Sequence, residues 1–404
     1  MQIGKNQTFV RDENLALFFG EFARGSFSRV HVAQKYNISK TAASNIVASL
    51  CDLNLIRANG GKYPKKREAP GVKPVLYSLN PDFGIVVILD MSTPEVVVSV
   101  CDFLGNVLWE SKFPDREVIV KEDFEYFCQT IEATLQSEQF ESKKLAKICV
   151  ALPCAVDSVN ERIFWSPRFD FGQEGFDIYE FLMHRMNTTS IILNDMGLLI
   201  RGEVCDGLIS EGVNYALMVY VDSGIGGALY INDRHEAGMH GLAGEIGHFP
   251  VAKSNSQIVK LDEIASINGI KNEIRERLKG GGKSVLSELA DKLRFRHIVE
   301  AYNGGDTLTI DVVEESARTL GASIKTILRM LNIPFVVISG RIRQLGKEYL
   351  DLVKKTIDTD MFFCAEVVYS ELNDGIIRGA ISTTQEKIFE ETTRAKKKER
   401  NSRR

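Results

Sequence analysis

Glu245 and His248 stand three residues apart in GLAGEIGHFPVAKSNSQIVKLDEIAS, residues 241–266. A carboxylate accepts hydrogen bonds and an imidazole can do either, so the pair could hold a ligand rich in hydroxyls. Upstream, SIILND at 190–195 reads as a strand ending in two polar residues, Asn194 and Asp195. Ligands of α/β proteins sit beyond the carboxyl ends of strands, which is where these two residues fall.

A different chemistry is written into the first 80 residues. They hold 12 Lys+Arg against 5 Asp+Glu, whereas residues 81–393 hold 31 against 48 and residues 394–404 hold 7 against 1. A basic head on an acidic body suggests that the head meets a polyanion and the body does not. Within SFSRVHVAQKYNISKTAASNIVASL (26–50), Ser28 is expected to cap a short helix running to about Lys35, with Val30 and Ala33 facing inward. Tyr36-Asn37-Ile38 reads as a tight turn, because asparagine tolerates a left-handed backbone. Ser39 caps a second helix, in which Ala43, Ile46, Val47 and Leu50 form one apolar stripe. Its other face carries Lys40, Thr41, Ser44 and Asn45.

That arrangement is a helix-turn-helix, whose polar, basic face suits base edges and phosphates in a major groove. A solvated helical hairpin is the competing reading. Leu15, Phe18, Phe19 and Phe22 supply a supporting helix at the right spacing. Residues 56–79 read as two strands around a loop rich in Gly, Pro, Lys and Arg, a wing able to lie along phosphates or enter a minor groove. The candidate DNA contacts are Arg29, Lys40, Thr41, Ser44, Asn45, Lys62 and Lys73.

From Phe83 onward strands alternate with helices, which indicates α/β architecture. The strand–turn–strand theme of residues 84–100 returns at 215–232, suggesting two related lobes with a cleft between them. No stretch approaches twenty uncharged apolar residues, so no membrane span is expected. Charges interrupt the N-terminus before any apolar run, which argues against a secretory signal. Seven scattered cysteines without a CxxC pair read as reduced thiols of a cytoplasmic protein.

Taken in order, GVKPVLYSLN (71–80), ALPCAVD (151–157), LND (193–195), DSGIGGAL (222–229), GLAGEIGH (241–248) and PFVVISG (334–340) resemble the ROK family of repressors, open reading frames and kinases, from about residue 14 to 390. The resemblance implies an N-terminal winged helix-turn-helix followed by a two-lobed, actin-like ATPase (ribonuclease H-like) fold. It implies residues 1–80 as the DNA-binding domain, 81–193 as a first lobe completed by a helix at 376–392, and 194–375 as a second lobe. Residues 393–404 are expected to be a disordered basic tail.

By the same resemblance Asp195 lies at the kinase base position, and Asn194, Asp195, Glu245, His248 and Asp262 are the sugar-binding candidates. Gly197 stands where the family commonly has asparagine, and Asp262 where it has glutamate. Cys154 replaces a glycine. Arg168 replaces an asparagine; it either favours an anionic ligand such as a sugar phosphate or sugar acid or is a surface residue. The family's first phosphate turn is here Asp90-Met91-Ser92-Thr93-Pro94-Glu95, where side chains replace glycines and Pro94 has no N–H. In the second, Asp222-Ser223-Gly224-Ile225-Gly226-Gly227, a carboxylate has entered. At an intermediate effective dielectric, two unit charges about 4 Å apart cost about 4 kcal/mol, so each added carboxylate would weaken the hold on a triphosphate. Nucleotide binding and catalysis are therefore not expected. No cysteine falls between 206 and 363, so the family's zinc site, in which a histidine like His248 joins three cysteines, cannot be filled.

The resulting expectation is a cytoplasmic repressor of a carbohydrate-utilisation operon. It binds operator DNA as a dimer or tetramer, and a sugar or sugar phosphate in the cleft changes its DNA affinity. The alternatives are a sugar kinase and a regulator controlled by a partner protein.

Overall fold

The computed structural model describes residues 7–59, 74–157, 162–163, 166, 168–171, 176–206, 208–209, 213–232, 234–253, 257–358 and 365–402. The chain divides into two compact units. The first comprises Met1–Cys154, Trp165–Leu198 and Ile376–Arg404, and the second Ala155–Phe164 and Leu199–Gly375. The expected boundary after residue 193 therefore moves to 198, and the short segment 155–164 crosses over. The head and the first α/β layer fall in one unit rather than two.

The head is built from α1 (Gln7–Arg24), β1 (Phe27–Ser28), α2 (Arg29–Lys35), α3 (Lys40–Asp52), β2 (Ile56–Asn59) and β3 (Leu76–Leu79). Its sheet has the order β1-β3-β2, with both pairings antiparallel. Ser28 Oγ accepts from the His31 amide and Ser39 Oγ from the Ala42 amide, both at 3.2 Å, so each cap satisfies a donor the helix cannot. Asn37 adopts φ 52°, which lets the Ile38 amide reach the Ala33 carbonyl at 2.8 Å and closes the turn. The α2 face differs from expectation: Val32 and Ala33 are buried, whereas Val30 is 38% exposed. The covered stripe centres on the buried Val32 and Ala33 and the half-buried Tyr36, and at about 100° per residue Val30 sits roughly a third of a turn off it.

The first unit continues with β4 (Ile85–Asp90), β5 (Val97–Asp102), β6 (Val107–Lys112), α4 (Lys121–Leu135) and β7 (Leu145–Leu152). A two-stranded ribbon of the second unit, β8 (Val156–Asp157) and β9 (Arg162–Ile163), intervenes before α5 (Ile178–Met186), β10 (Ser190–Asn194) and the start of α6 (Asp195–Asp206). The first unit's sheet runs β10-β7-β4-β5-β6. Its β4, β5 and β6 are antiparallel, and β4, β7 and β10 are parallel.

The second unit carries β11 (Tyr215–Val221), β12 (Ile225–Ile231), β13 (Arg234–Glu236), β14 (Pro250–Ala252), β15 (Ile258–Lys260), α7 (Asp262–Ala265) and α8 (Ile267–Lys279). It continues with α9 (Phe295–Asn303), α10 (Thr307–Leu331), β16 (Phe335–Ser339), α11 (Gly346–Asp358) and β17 (Glu366–Tyr369). Its sheet runs β13-β12-β11-β16-β17, antiparallel on the first side of β11 and parallel on the other. Each unit thus winds its own five strands in the same order and sense. The run Phe335–Ser339 is buried throughout, as a central parallel strand covered on both faces must be.

The last helix, α12 (Gly375–Ser402), corrects the expected disordered tail. No Gly or Pro follows Gly379 before Ser402, and Lys396 and Lys397 form ion pairs with Asp52 and Asp12 of the head. A basic run that looks like a solvated tail in isolation is thereby continued as helix.

Candidate DNA interface and ligand site

On α3, Lys40, Thr41 and Asn45 are exposed, opposite the buried Ala43, Ile46, Val47 and Leu50. Ser44 is half-buried and donates its hydroxyl to the Lys40 carbonyl at 2.9 Å, so it is less available than its neighbours. Arg29 opens α2 and is exposed. Lys62 and Lys73 lie outside the described residues. One element of the head carries no outward sequence signal. Glu21, within the aromatic stripe of α1, is buried, and its Oε2 accepts from Lys35 Nζ and Tyr36 Oη, each at 3.0 Å. It pins α1 to the end of α2. Burial, then the bond to Glu21, pushes the Tyr36 phenol above its ordinary pKa.

The first unit positions Asn194 and Asp195 without a loop, because β10 passes directly into α6. Asn194 Oδ1 accepts from the amides of Met196 (2.9 Å) and Gly197 (3.3 Å), and its Nδ2 donates to the Cys154 carbonyl (3.0 Å). The asparagine is therefore a helix cap, with both ends of its amide already engaged. Asp195 is buried, and its Oδ1 accepts from the Met196 amide at 2.9 Å.

Arg168 is neither a surface residue nor an open anion receptor. Its Nη1 donates to the Met91 carbonyl (2.8 Å) and its Nη2 to the Arg116 carbonyl (2.9 Å), while Nε is buried without a partner among the described residues. Burial lowers its pKa, and the charges of Asp195 and Asp90 oppose that shift. One guanidinium thus faces two carboxylates and ties the first turn down.

That turn is closed on itself. Asp90 Oδ1 accepts from the Ser92 amide (2.9 Å), the Met91 amide donates to Ala151 (3.0 Å), and the Arg116 amide donates to the Pro94 carbonyl (2.8 Å). Burial pushes the Asp90 carboxyl above the usual range. Glu95 is not the isolated charge expected of it, since Lys112 Nζ lies 2.9 Å away.

In the second unit, Glu245 caps and His248 ends a single 3-10 turn, Ile246–His248, and both are exposed. Gly244 takes φ +94°, and a Cβ there would lie 2.3 Å from the Gly227 carbonyl oxygen. A Cβ on Gly247 would meet the Ile225 carbonyl oxygen at 2.3 Å and Asp262 Oδ1 at 2.6 Å. Gly244 and Gly247 are thus required because their loop lies directly on the start of β12.

Asp262 is half-buried, and its Oδ1 accepts from the Ile225 amide at 2.6 Å. Burial raises its pKa, opposed by that bond and by the charges of His248 and Lys260. It braces the glycine turn, and one of its two oxygens is already taken.

Asp222 is treated in the same way. Its carboxylate accepts from the amides of Ser223 (2.7 Å) and Arg341 (3.2 Å), and the Arg341 guanidinium grips it through Nε (2.8 Å) and Nη2. The charge expected to repel a triphosphate is neutralised within the unit. The sequence reading missed Arg341, although parallel pairing of β11 with β16 brings the two strand ends side by side. Among the described residues no group of three or more His, Cys, Asp or Glu is disposed to hold a metal ion. Residues 254–256 lie outside the described set.

Residues 87–381 match the sequence model described as the ROK family. The chain is 24% identical over 367 residues to the DNA-binding transcriptional dual regulator NagC of Escherichia coli K12, covering 89% of this chain and 88% of that one. It is 20% identical over 372 residues to the xylose repressor of Caldicellulosiruptor bescii, covering 88% and 90%. Among solved structures, a ROK family transcriptional regulator described as a homolog of the E. coli MLC protein superposes with a TM-score of 0.77 at 18% identity, covering 94% of this chain and 97% of that one.

Proposed function

The chain belongs to the ROK family, and from that premise we propose that it is a DNA-binding transcriptional regulator, a repressor of a carbohydrate-utilisation operon released by a sugar or sugar derivative. The observation that carries this reading is the head: two serine-capped helices around an αL turn present Lys40, Thr41 and Asn45 to solvent. Similarity over most of their length to a DNA-binding regulator and a xylose repressor supports it. One head makes few base contacts, so a dimer or tetramer on paired half-sites is part of the proposal.

In the first unit Asp195 is the proposed acceptor of a sugar hydroxyl; in the second, Glu245 and His248 are the proposed open pair. Asn194 and Asp262 position these groups through the helix cap and the glycine turn. The protein is proposed not to transfer phosphate, because the Ser223 and Ile225 amides of the second turn already serve Asp222 and Asp262.

The deciding experiment is retardation of a duplex selected by the protein from a random library. Lys40→Ala with Asn45→Ala should weaken binding at least about thirtyfold, as expected when two contacts worth about 1–3 kcal/mol each are lost. The circular dichroism spectrum should be unchanged. Undiminished retardation by the folded double variant would remove α3 as the reading helix.

A further inference from the structure

The contacts of helix α12 fall at successive levels along its length. At its start Gly379 lies against α6 so tightly that a Cβ would stand 1.9 Å from the Leu198 carbonyl oxygen. Leu198 is three residues, nearly one turn, after Asp195. Further on, Ile381 packs on Gly105 and Gln385 Nε2 donates to the Phe103 carbonyl at 2.7 Å. The next turn enters the head. Ile388 belongs to the same buried cluster as Phe18, Phe22 and Leu50, and Phe389 stacks on Phe19 of α1 at 4.6 Å. Glu391 then pairs with the buried Lys147 of β7 at 2.7 Å, and Lys396 and Lys397 reach Asp52 and Asp12.

From Gly379 to Phe389 is about 15 Å of continuous helix without proline, held at its far levels by the head's own core. Nor is the head a module swinging on a linker, since its core includes Phe103 and Ile388 from outside residues 1–80. Close-packed groups do not absorb displacement gradually. A shift of the first turn of α6 leaves Leu198 no slack against Gly379, so α12 must move or the shift is resisted.

We infer that α12 is a rigid connector making the state of the Asp195 turn and the seating of the DNA-reading head a single equilibrium. This rests on the reading of Asp195 as the ligand-gripping residue and of the head as DNA-binding, and it assigns the route of regulation between them. Coupling of this kind is reciprocal, so a lesion at either end must be felt at the other.

Amide hydrogen exchange on the full-length protein tests this without DNA or sugar. Phe389→Ala, at the head end, should speed exchange at Met196–Leu199 by about tenfold or more. Gly379→Ala, at the α6 end, should do the same for Leu15–Phe22 in α1. Amides of β4, the central strand of the same unit, and of β16 in the other unit serve as the references for opening of each unit. Acceleration confined to the mutated end, or equal acceleration in β4 or β16, would overturn the inference. Should Gly379→Ala not fold, Phe389→Ala decides alone. The readout is separate from DNA retardation, so failure of the repressor reading and failure of the connector give different results.

Discussion

Asp222 and Asp262 carry the case against phosphate transfer, by a route different from simple repulsion. Arg341 neutralises Asp222, and Lys112 lies on Glu95 in an exposed pair worth little. What remains is occupancy: the Ser223, Ile225 and Arg341 amides already donate to carboxylates. Displacing each such bond costs about 1.5–3 kcal/mol. Calorimetry with Mg-ATP should therefore detect no binding below about 1 mM, and Asp222→Gly should improve it by at least tenfold. Micromolar uptake by the unaltered protein would reopen the kinase reading. Glu21 offers a second test at this scale. Glu21→Ala removes the acceptor shared by Lys35 Nζ and Tyr36 Oη and should destabilise the protein by about 2 kcal/mol, read from urea unfolding. A change under about 0.5 kcal/mol would show that the pinning is dispensable.

At the scale of elements, caps and stripes were legible because they are local. Ser28, Asn37 and Ser39 act within four residues of themselves, so spacing alone identified both helices of the head and the turn between them. Ser39→Ala should cost about 1 kcal/mol of stability, and frayed α3 ends should weaken DNA retardation more than stability alone predicts. Equal stability of variant and parent would contradict the cap. The error at Val30 came from choosing the wrong member of an apolar pair, since which face of α2 is covered depends on α1. The tail was misread for a related reason: a basic run carries no sign that Asp12 and Asp52 lie beside it.

At the scale of the molecule, charge is divided between a basic head and an acidic body. Binding of random-sequence duplex should fall steeply with salt. Replacing Lys62, Lys65, Lys66 and Arg67 by Gln should flatten the plot of log K against log salt by about 2–4, and an unchanged slope would exclude the wing from phosphate contact. By itself the sequence determined the head, the repeated strand–turn–strand units, the sparse cysteines and the candidate ligand residues, because periodicity, caps and motif spacing are short-range properties. Only the tertiary structure decided what those residues are free to do. Asn194 is spent on a helix cap, Arg168 on two carbonyls and Asp222 on Arg341. Each of these assignments depends on a partner brought close by sheet pairing or packing, and proximity between distant residues is not written in local pattern.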